Sequence, residues 1–165
     1  MLRNLILFCS ISLCIASCKE KSDAGRLPTG ANLLHQNMNA LTRVIIHDVF
    51  SPPVSSRIYS YTSLAAYEAL RFEKGEASIA AQLKGFNKLP EPQKAKTYNY
   101  LLAATKAFFT VSEKVTFSID TLKQYQDKVY QQFKDELAED VFNNSISFGE
   151  EVGKAILTRT TVDNY

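Results

Sequence analysis

Apolar side chains recur every three or four positions along this chain, from about residue 32 to its last residues. That spacing places them on one face of an α-helix, whereas a half-buried strand would alternate apolar and polar residues with a period of two. No segment alternates convincingly in that way. The sequence therefore predicts an all-α fold, an antiparallel bundle of about five helices over residues 32–165.

The helix bounds follow from the apolar stripes and from the residues that begin or end helices. We predict helices at 32–50, from 52 to about 70, at 92–111, from 119 to about 137 and at 141–158, with a short helix at 79–84. The first carries Leu34, Met38, Leu41, Ile45 and Val49 on its predicted buried face. The second is rich in serine and alanine and is predicted to lie at the centre. Ser118 and Asp140 are the predicted N-caps of the last two helices.

Two glycines lie one turn apart in the last predicted helix, Gly149 and Gly153. Glycine inside a helix costs about 1 kcal/mol relative to alanine, so its presence needs a compensating reason. Close packing against a neighbouring helix is the interpretation we favour.

The first 17 residues resemble a bacterial lipoprotein export signal. Arg3 precedes an apolar run at 5–15, which matches the length of a signal core and is too short to span a bilayer. The segment Ile15-Ala16-Ser17-Cys18 then resembles the lipobox at which the cysteine is acylated and the preceding residue is cut away. An ordinary secretory signal with a chance cysteine is the alternative. We predict a signal peptide at 1–17, a flexible charged tether at 18–31 and a lipid anchor on Cys18.

Cysteine and charge content limit the remaining possibilities. Cys9 and Cys14 lie in the predicted signal, so Cys18 is the one cysteine of the predicted mature chain, which then has no internal disulfide. The 19 basic and 17 acidic side chains nearly balance, which argues against a nucleic-acid partner. The expected partner is a membrane, reached through the lipid. Lys19 is unlike the aspartate of inner-membrane retention signals, so the expected location is the outer membrane of the cell envelope.

Histidine chemistry is limited to His35 and His47, both on the first predicted helix. They lie 12 positions apart, which leaves them about 120° apart around a helix, so they cannot share one metal there. The pair His47-Asp48 invites a catalytic interpretation, but neighbouring residues on a helix point in different directions and no direct contact is predicted. A packed or solvent-facing histidine is the favoured interpretation for both.

Two charged groups could bind ions. Glu136, Glu139 and Asp140 meet at a predicted helix junction, where they could bind a cation or, as we favour, complement helix N-termini. Arg57 lies early in the second helix, but the two prolines before it remove amide donors that a phosphate site would need. No Gly-rich phosphate loop, nucleophile elbow, HExxH or CxxC motif occurs. No catalytic, cofactor-binding or metal-ligating residue is assigned.

The run His-Asp-Val-Phe-Ser-Pro-Pro-Val-Ser-Ser-Arg-Ile-Tyr-Ser-Tyr at 47–61, with Ala-Ala-Tyr-Glu-Ala at 65–69, resembles a known family. It is similar to the N-terminal helical region of bacterial vanadium-dependent haloperoxidase-like lipoproteins, which belong to the type 2 phosphatidic acid phosphatase superfamily. Phe-Gly-Glu-Glu-Val-Gly-Lys-Ala-Ile-Leu at 148–157 and the closing Asp163-Asn164-Tyr165 are similar too. The Ser-Pro-Pro-x-x-Ser-Arg signature carries most of the specificity, and the resemblance extends from about Leu33 to the last residue.

The resemblance implies a larger helical bundle around an oxyanion site. In the family, vanadate or phosphate is held by a lysine, an Arg-Pro pair, a Ser-Gly-His and a further arginine, with a histidine bonded axially. This sequence has no Arg-Pro and no Ser-Gly-His, so no catalytic residue carries over and no cofactor is expected in this chain. Arg57 carries over as a structural position at a helix start.

Two hypotheses follow. In the first, the chain is the N-terminal portion of a haloperoxidase-like or phosphatase-like lipoprotein, truncated before its active-site motifs and inactive alone. Its partner would be the missing C-terminal half or a second copy, and an Arg-Pro followed by Ser-Gly-His in the downstream nucleotide sequence would support it. In the second, it is a self-sufficient, non-enzymatic helical lipoprotein that binds a partner or ligand.

Overall fold

The computed structural model describes residues 30–86 and 88–163. The predicted signal peptide, Cys18 and most of the tether lie outside these residues, as do Asn164 and Tyr165. The described ranges contain no strand and form five α-helices: α1 Gly30–His47, α2 Pro52–Leu70, α3 Tyr100–Val115, α4 Ile119–Glu136 and α5 Glu139–Val162. The all-α prediction is confirmed. No described helix is both long and apolar enough to cross a bilayer.

Successive helices alternate in direction. Asn37 on α1 lies beside Thr105 on α3, and Phe72, just after α2, lies beside Tyr100 at the start of α3. The ends of α1, α3 and α5 therefore meet the beginnings of α2 and α4 at one end of the bundle, which we call the loop end. This arrangement confirms the antiparallel prediction.

The helix at the centre of the bundle is α3, not the serine- and alanine-rich α2. It packs against each of the four other helices. Its buried side chains surround almost its whole circumference, whereas α2 keeps one face exposed. The fully buried residues of α3 include Leu102, Ala103, Ala104, Thr105, Ala107 and Phe109.

The start of α3 differs from the prediction by eight residues. Residues 91–99 are irregular, and α3 begins at Tyr100 because Asn99 caps it. The Asn99 side chain accepts a hydrogen bond from the backbone N–H of Leu102 at 2.9 Å. Its own N–H donates to Ser145 Oγ on α5 at 2.8 Å. Ala95, which lies within the predicted helix 92–111, is outside α3 and exposed.

The end of α1 also differs, because α1 stops at His47 and not at residue 50. The N–H of Phe50 donates to Ile45 O at 3.3 Å and that of Val49 to Ile46 O at 3.2 Å, the two bonds of a Schellman motif. The motif needs a left-handed residue, and Val49 takes that place with φ 55°. Val49, predicted to be buried, is 85% exposed.

Both glycines of α5 lie against α3, as the close-packing interpretation predicted. A Cβ at Gly149 would overlap the backbone oxygen of Ala103 and lie 2.8 Å from Lys106 Cβ. A Cβ at Gly153 would lie 2.7 Å from Thr110 Cβ and 3.0 Å from Ala107 O. The two glycines thus let α5 approach the central helix closely along one turn of its length.

Candidate functional site

The loop end is held together by a carboxylate from the turn after α1. Asp48 Oδ2 accepts hydrogen bonds from the backbone N–H groups of Phe117 at 2.8 Å and Ser118 at 3.1 Å. Its Oδ1 accepts from Ser118 Oγ at 2.5 Å. Ser118 is the N-cap residue of α4, as predicted, but its hydroxyl makes no capping bond within α4. Asp48 therefore satisfies the polar groups that lead into α4.

His47 contacts this carboxylate, contrary to the prediction that the two neighbours would not meet. Its Nδ1 lies 3.4 Å from Asp48 Oδ1 and 3.0 Å from Ser118 Oγ. The prediction assumed a continuous helix, but α1 ends at His47 and Asp48 lies in the turn, where the side chains can converge. Because both contacts fall on Nδ1, the imidazole cannot relay a proton between Ser118 and Asp48 as in a hydrolase triad. The cluster is structural.

Asp48 gives the bundle a pH dependence. Burial opposes ionisation of this carboxyl, but hydrogen bonds from Ser118 Oγ, the N–H groups of Phe117 and Ser118, and His47 outweigh it and lower the pKa of Asp48 below its usual 3.8. A lowered folded-state pKa means that the stabilisation is complete well above pH 3.8. It is lost as the pH falls through the folded-state pKa.

We expect Asp48→Ala to lower the free energy of unfolding by about 2 kcal/mol at pH 7, since hydrogen bonds to a charged, buried acceptor are lost. Chemical denaturation of both proteins at pH 7 and pH 3 measures this, and the difference between them should shrink at pH 3. Asp120→Ala, an exposed carboxylate in the first turn of α4, is the matched control and should change stability by less than about 1 kcal/mol. A deficit of Asp48→Ala that is equal at both pH values would contradict the assignment.

A second network at the loop end joins α2 to the end of α5. Tyr61 Oη donates to Asp163 Oδ2 at 2.5 Å, and Arg159 pairs with the same carboxylate through Nε at 3.1 Å and Nη2 at 2.6 Å. Burial, then the hydrogen bond to Asp163 and its charge, raise the pKa of Tyr61 to about 12, although Arg57 and Arg159 act in the opposite direction. Tyr61 thus stays protonated and continues to donate.

Two open clefts lie between these networks. The first, of about 760 Å³, is lined mainly by apolar side chains and also by Arg57 and Lys114. The second, of about 360 Å³, lies between α2 and the end of α5 and contains Arg57, Lys84 and Arg159. Arg57 lines both clefts. The sequence assigned Arg57 only a structural position, but its side chain is exposed and faces this surface.

The other predicted candidates lie elsewhere. His35 is exposed on α1, about 18 Å along the helix from His47. Glu136 ends α4, and Glu139 and Asp140 form the first turn of α5, where carboxylates favour the helix N-terminus. The N-cap position belongs to Ala138 and not to Asp140 as predicted. Over the described ranges, no three or more metal-ligating side chains gather into a cluster.

A buried carboxylate that sequence reasoning missed lies far from the loop end. Glu68 is 1% exposed and accepts hydrogen bonds from Arg71 Nε at 2.9 Å, Ser78 Oγ at 3.0 Å and the N–H of Ala80 at 2.8 Å. It fixes the loop after α2 onto the helix. Its position three residues after Ala65, on the buried stripe of α2, was the available signal.

The five-helix bundle resembles a protein of known structure. No family model and no curated protein matches the sequence. A solved structure of a bacterial vanadium-dependent iodoperoxidase matches it with 36% sequence identity and a TM-score of 0.76. The match covers 81% of this chain and 32% of that protein, so the chain spans about a third of the length of the protein it resembles. The five helices therefore form a scaffold of haloperoxidase-like fold.

Proposed function

We propose that this chain is the helical scaffold of a vanadium-dependent haloperoxidase-like or phosphatase-like lipoprotein of the type 2 phosphatidic acid phosphatase superfamily. The observation that carries the proposal is 36% identity over 81% of this chain to an iodoperoxidase. The match covers 32% of that protein, so about two thirds of the iodoperoxidase has no counterpart here. The oxyanion ligands would then lie in a part of the protein that this chain does not include.

The side chains present do not fit vanadate. An oxyanion of that charge needs several cations together with a histidine that can bond to the metal. Four cations line the two clefts of the loop end, but neither cleft is lined by a histidine. Nδ1 of His47 faces Asp48 and Ser118, and His35 lies along α1. The described residues therefore provide no complete oxyanion site.

We expect the purified chain to be catalytically silent, because it lacks the Arg-Pro and Ser-Gly-His motifs. Iodide and bromide oxidation measured with vanadate and hydrogen peroxide should not exceed the rate with heat-denatured protein, and phosphomonoester hydrolysis should be absent. The solved iodoperoxidase is the positive control. Halide oxidation or phosphatase activity above the denatured control would contradict the proposal.

A self-sufficient, non-enzymatic lipoprotein is the second candidate, and one observation favours it. Among the described residues, Thr110 Oγ1 is the one buried side-chain polar atom without a hydrogen bond, and all five helices contribute fully buried apolar side chains. A chain with such a shared core can unfold cooperatively without further helices. Cooperative denaturation together with a monomeric mass would support this candidate, and aggregation would favour the scaffold.

We propose that Cys18 is lipidated and anchors the chain in the outer membrane of the cell envelope. The support is the lipobox-like segment that precedes it. Expressed with its own leader in a Gram-negative host, the chain should appear in the outer-membrane fraction with a mass that fits cleavage before Cys18 and added acyl groups. Cys18→Ala should abolish the acylation, and an unacylated wild-type chain would contradict the assignment.

A further inference from the structure

Exposed apolar side chains concentrate at the loop end. Of the six large apolar side chains that are exposed among the described residues, four lie there: Ile46, Val49, Phe117 and Val162. A fifth, Leu83, lines the second cleft. The three most exposed are Val49 at 85%, Phe117 at 76% and Ile46 at 71%. Single exposed apolar residues are normal, but a group at one end beside an apolar cleft marks an interaction surface.

Val49 strengthens this argument because it occupies a position that disfavours it. A left-handed residue at φ 55° in a Schellman motif is usually glycine, and a β-branched side chain there is strained. In the isolated bundle the side chain gains little burial in return, since it is almost fully exposed. Such an outlier points to a contact made by Val49 outside these five helices.

The charges of the clefts narrow the chemistry of the partner. Within the described residues, Arg57, Lys84 and Lys114 have no ion-pair partner. Both carboxylates that line the clefts, Asp48 and Asp163, already accept hydrogen bonds. A second copy of the chain would place like charges opposite each other across a two-fold interface, which is unfavourable. The surface is complementary to a partner that is apolar and acidic.

We propose that the loop end is the docking surface for the helices of the haloperoxidase-like fold that this chain lacks, and that those helices present apolar and acidic side chains to it. The inference rests on the proposed function. About two thirds of the matched iodoperoxidase has no counterpart in this chain and needs a surface on the matched region. The loop end is the surface that combines exposed apolar groups, open clefts and unpaired cations.

A chimaera tests the proposal. Residues 30–163 replace the matched region of the iodoperoxidase, and the melting temperature is compared with that of the full-length chain carrying Cys18→Ala. The double variant Ile46→Asp with Val49→Asp should lower the melting temperature of the chimaera by at least about 5 °C, because two contacts become buried there. In the isolated chain, where both side chains are exposed, the same double variant should change the melting temperature by less than about 2 °C. Lys114→Glu should also lower the melting temperature of the chimaera and leave that of the isolated chain unchanged.

Ile79→Asp is the matched control, since Ile79 is exposed but lies away from the loop end. It should leave the melting temperature of both proteins unchanged. Equal shifts of the double variant in both proteins, or a wild-type chimaera that does not fold, would overturn the inference. So would binding of the isolated chain to phosphatidylethanolamine–phosphatidylglycerol vesicles that requires Ile46 and Val49, because it would assign the surface to a bilayer. A folded chimaera that oxidises no iodide would instead contradict the proposed function and leave the temperature comparison decisive.

Discussion

Gly149→Ala is expected to destabilise the bundle by about 3 kcal/mol and to lower its melting temperature by about 10 °C. The added Cβ would overlap the backbone oxygen of Ala103 and crowd Lys106 Cβ on α3. A backbone atom cannot rotate away, so α5 would have to move from the central helix, and the contacts around Phe148 and Val152 would loosen with it. This loss exceeds the roughly 1 kcal/mol by which alanine favours a helix over glycine.

Thermal and chemical denaturation of the lipid-free chain measure the effect, and Gly30→Ala is the matched control. Gly30 also lies in a helix, but a Cβ there would meet only the Leu101 side chain, whose Cδ1 lies at an ordinary 3.6 Å. That variant should stay within about 1 kcal/mol of the wild type. If Gly149→Ala were as stable as Gly30→Ala, the close approach of α5 to α3 would be wrong.

The second large effect is expected for Glu68→Ala, which should lower the free energy of unfolding by about 3 kcal/mol. It removes the acceptor for Arg71, Ser78 and Ala80 together and leaves a mostly buried guanidinium without its counter-charge. Glu68→Gln should cost less, about 1 to 2 kcal/mol, because its amide oxygen can still accept from Ser78 and Ala80. Limited proteolysis should also cut the loop 74–80 faster in Glu68→Ala.

Glu73→Ala provides the comparison for Glu68, because Glu73 is a nearby glutamate with an exposed side chain. We expect a change of less than about 0.5 kcal/mol and an unaltered proteolytic pattern. A Glu68→Ala protein with wild-type stability and an uncut loop would show that the carboxylate does not hold the loop in solution.

The helices were predictable from sequence because their buried stripes are long and regular. In α4, Leu122, Val129 and Phe133 are buried, and their separations of seven and four positions are those of one helix face. The start of α2 followed from Ser51 and the two prolines at its first positions. These signals are local, so one sequence was enough to place them.

Tertiary contacts explain why some predictions from the sequence were wrong. The buried face of α1 is rotated relative to the prediction because Asn37 lies inside the bundle, where its amide bonds to Thr105 and Tyr125. The contact of His47 with Asp48 depends on the turn after α1 and on Ser118, about 70 residues later. Nothing in the local sequence specifies such partners. The loop-end clefts therefore could not be predicted from the spacing of charges along the chain.

The networks of the loop end join residues that are far apart in sequence, which has a consequence for folding kinetics. Asp48 bonds to Ser118 across 70 residues, and Tyr61 bonds to Asp163 across 102. Contacts of such separation carry a large loop-closure entropy and form after neighbouring helices have paired. The helices α3, α4 and α5 follow one another closely and can associate before either network exists. The loop end is then the last region of the bundle to close, and substitutions there should accelerate unfolding more than they slow folding.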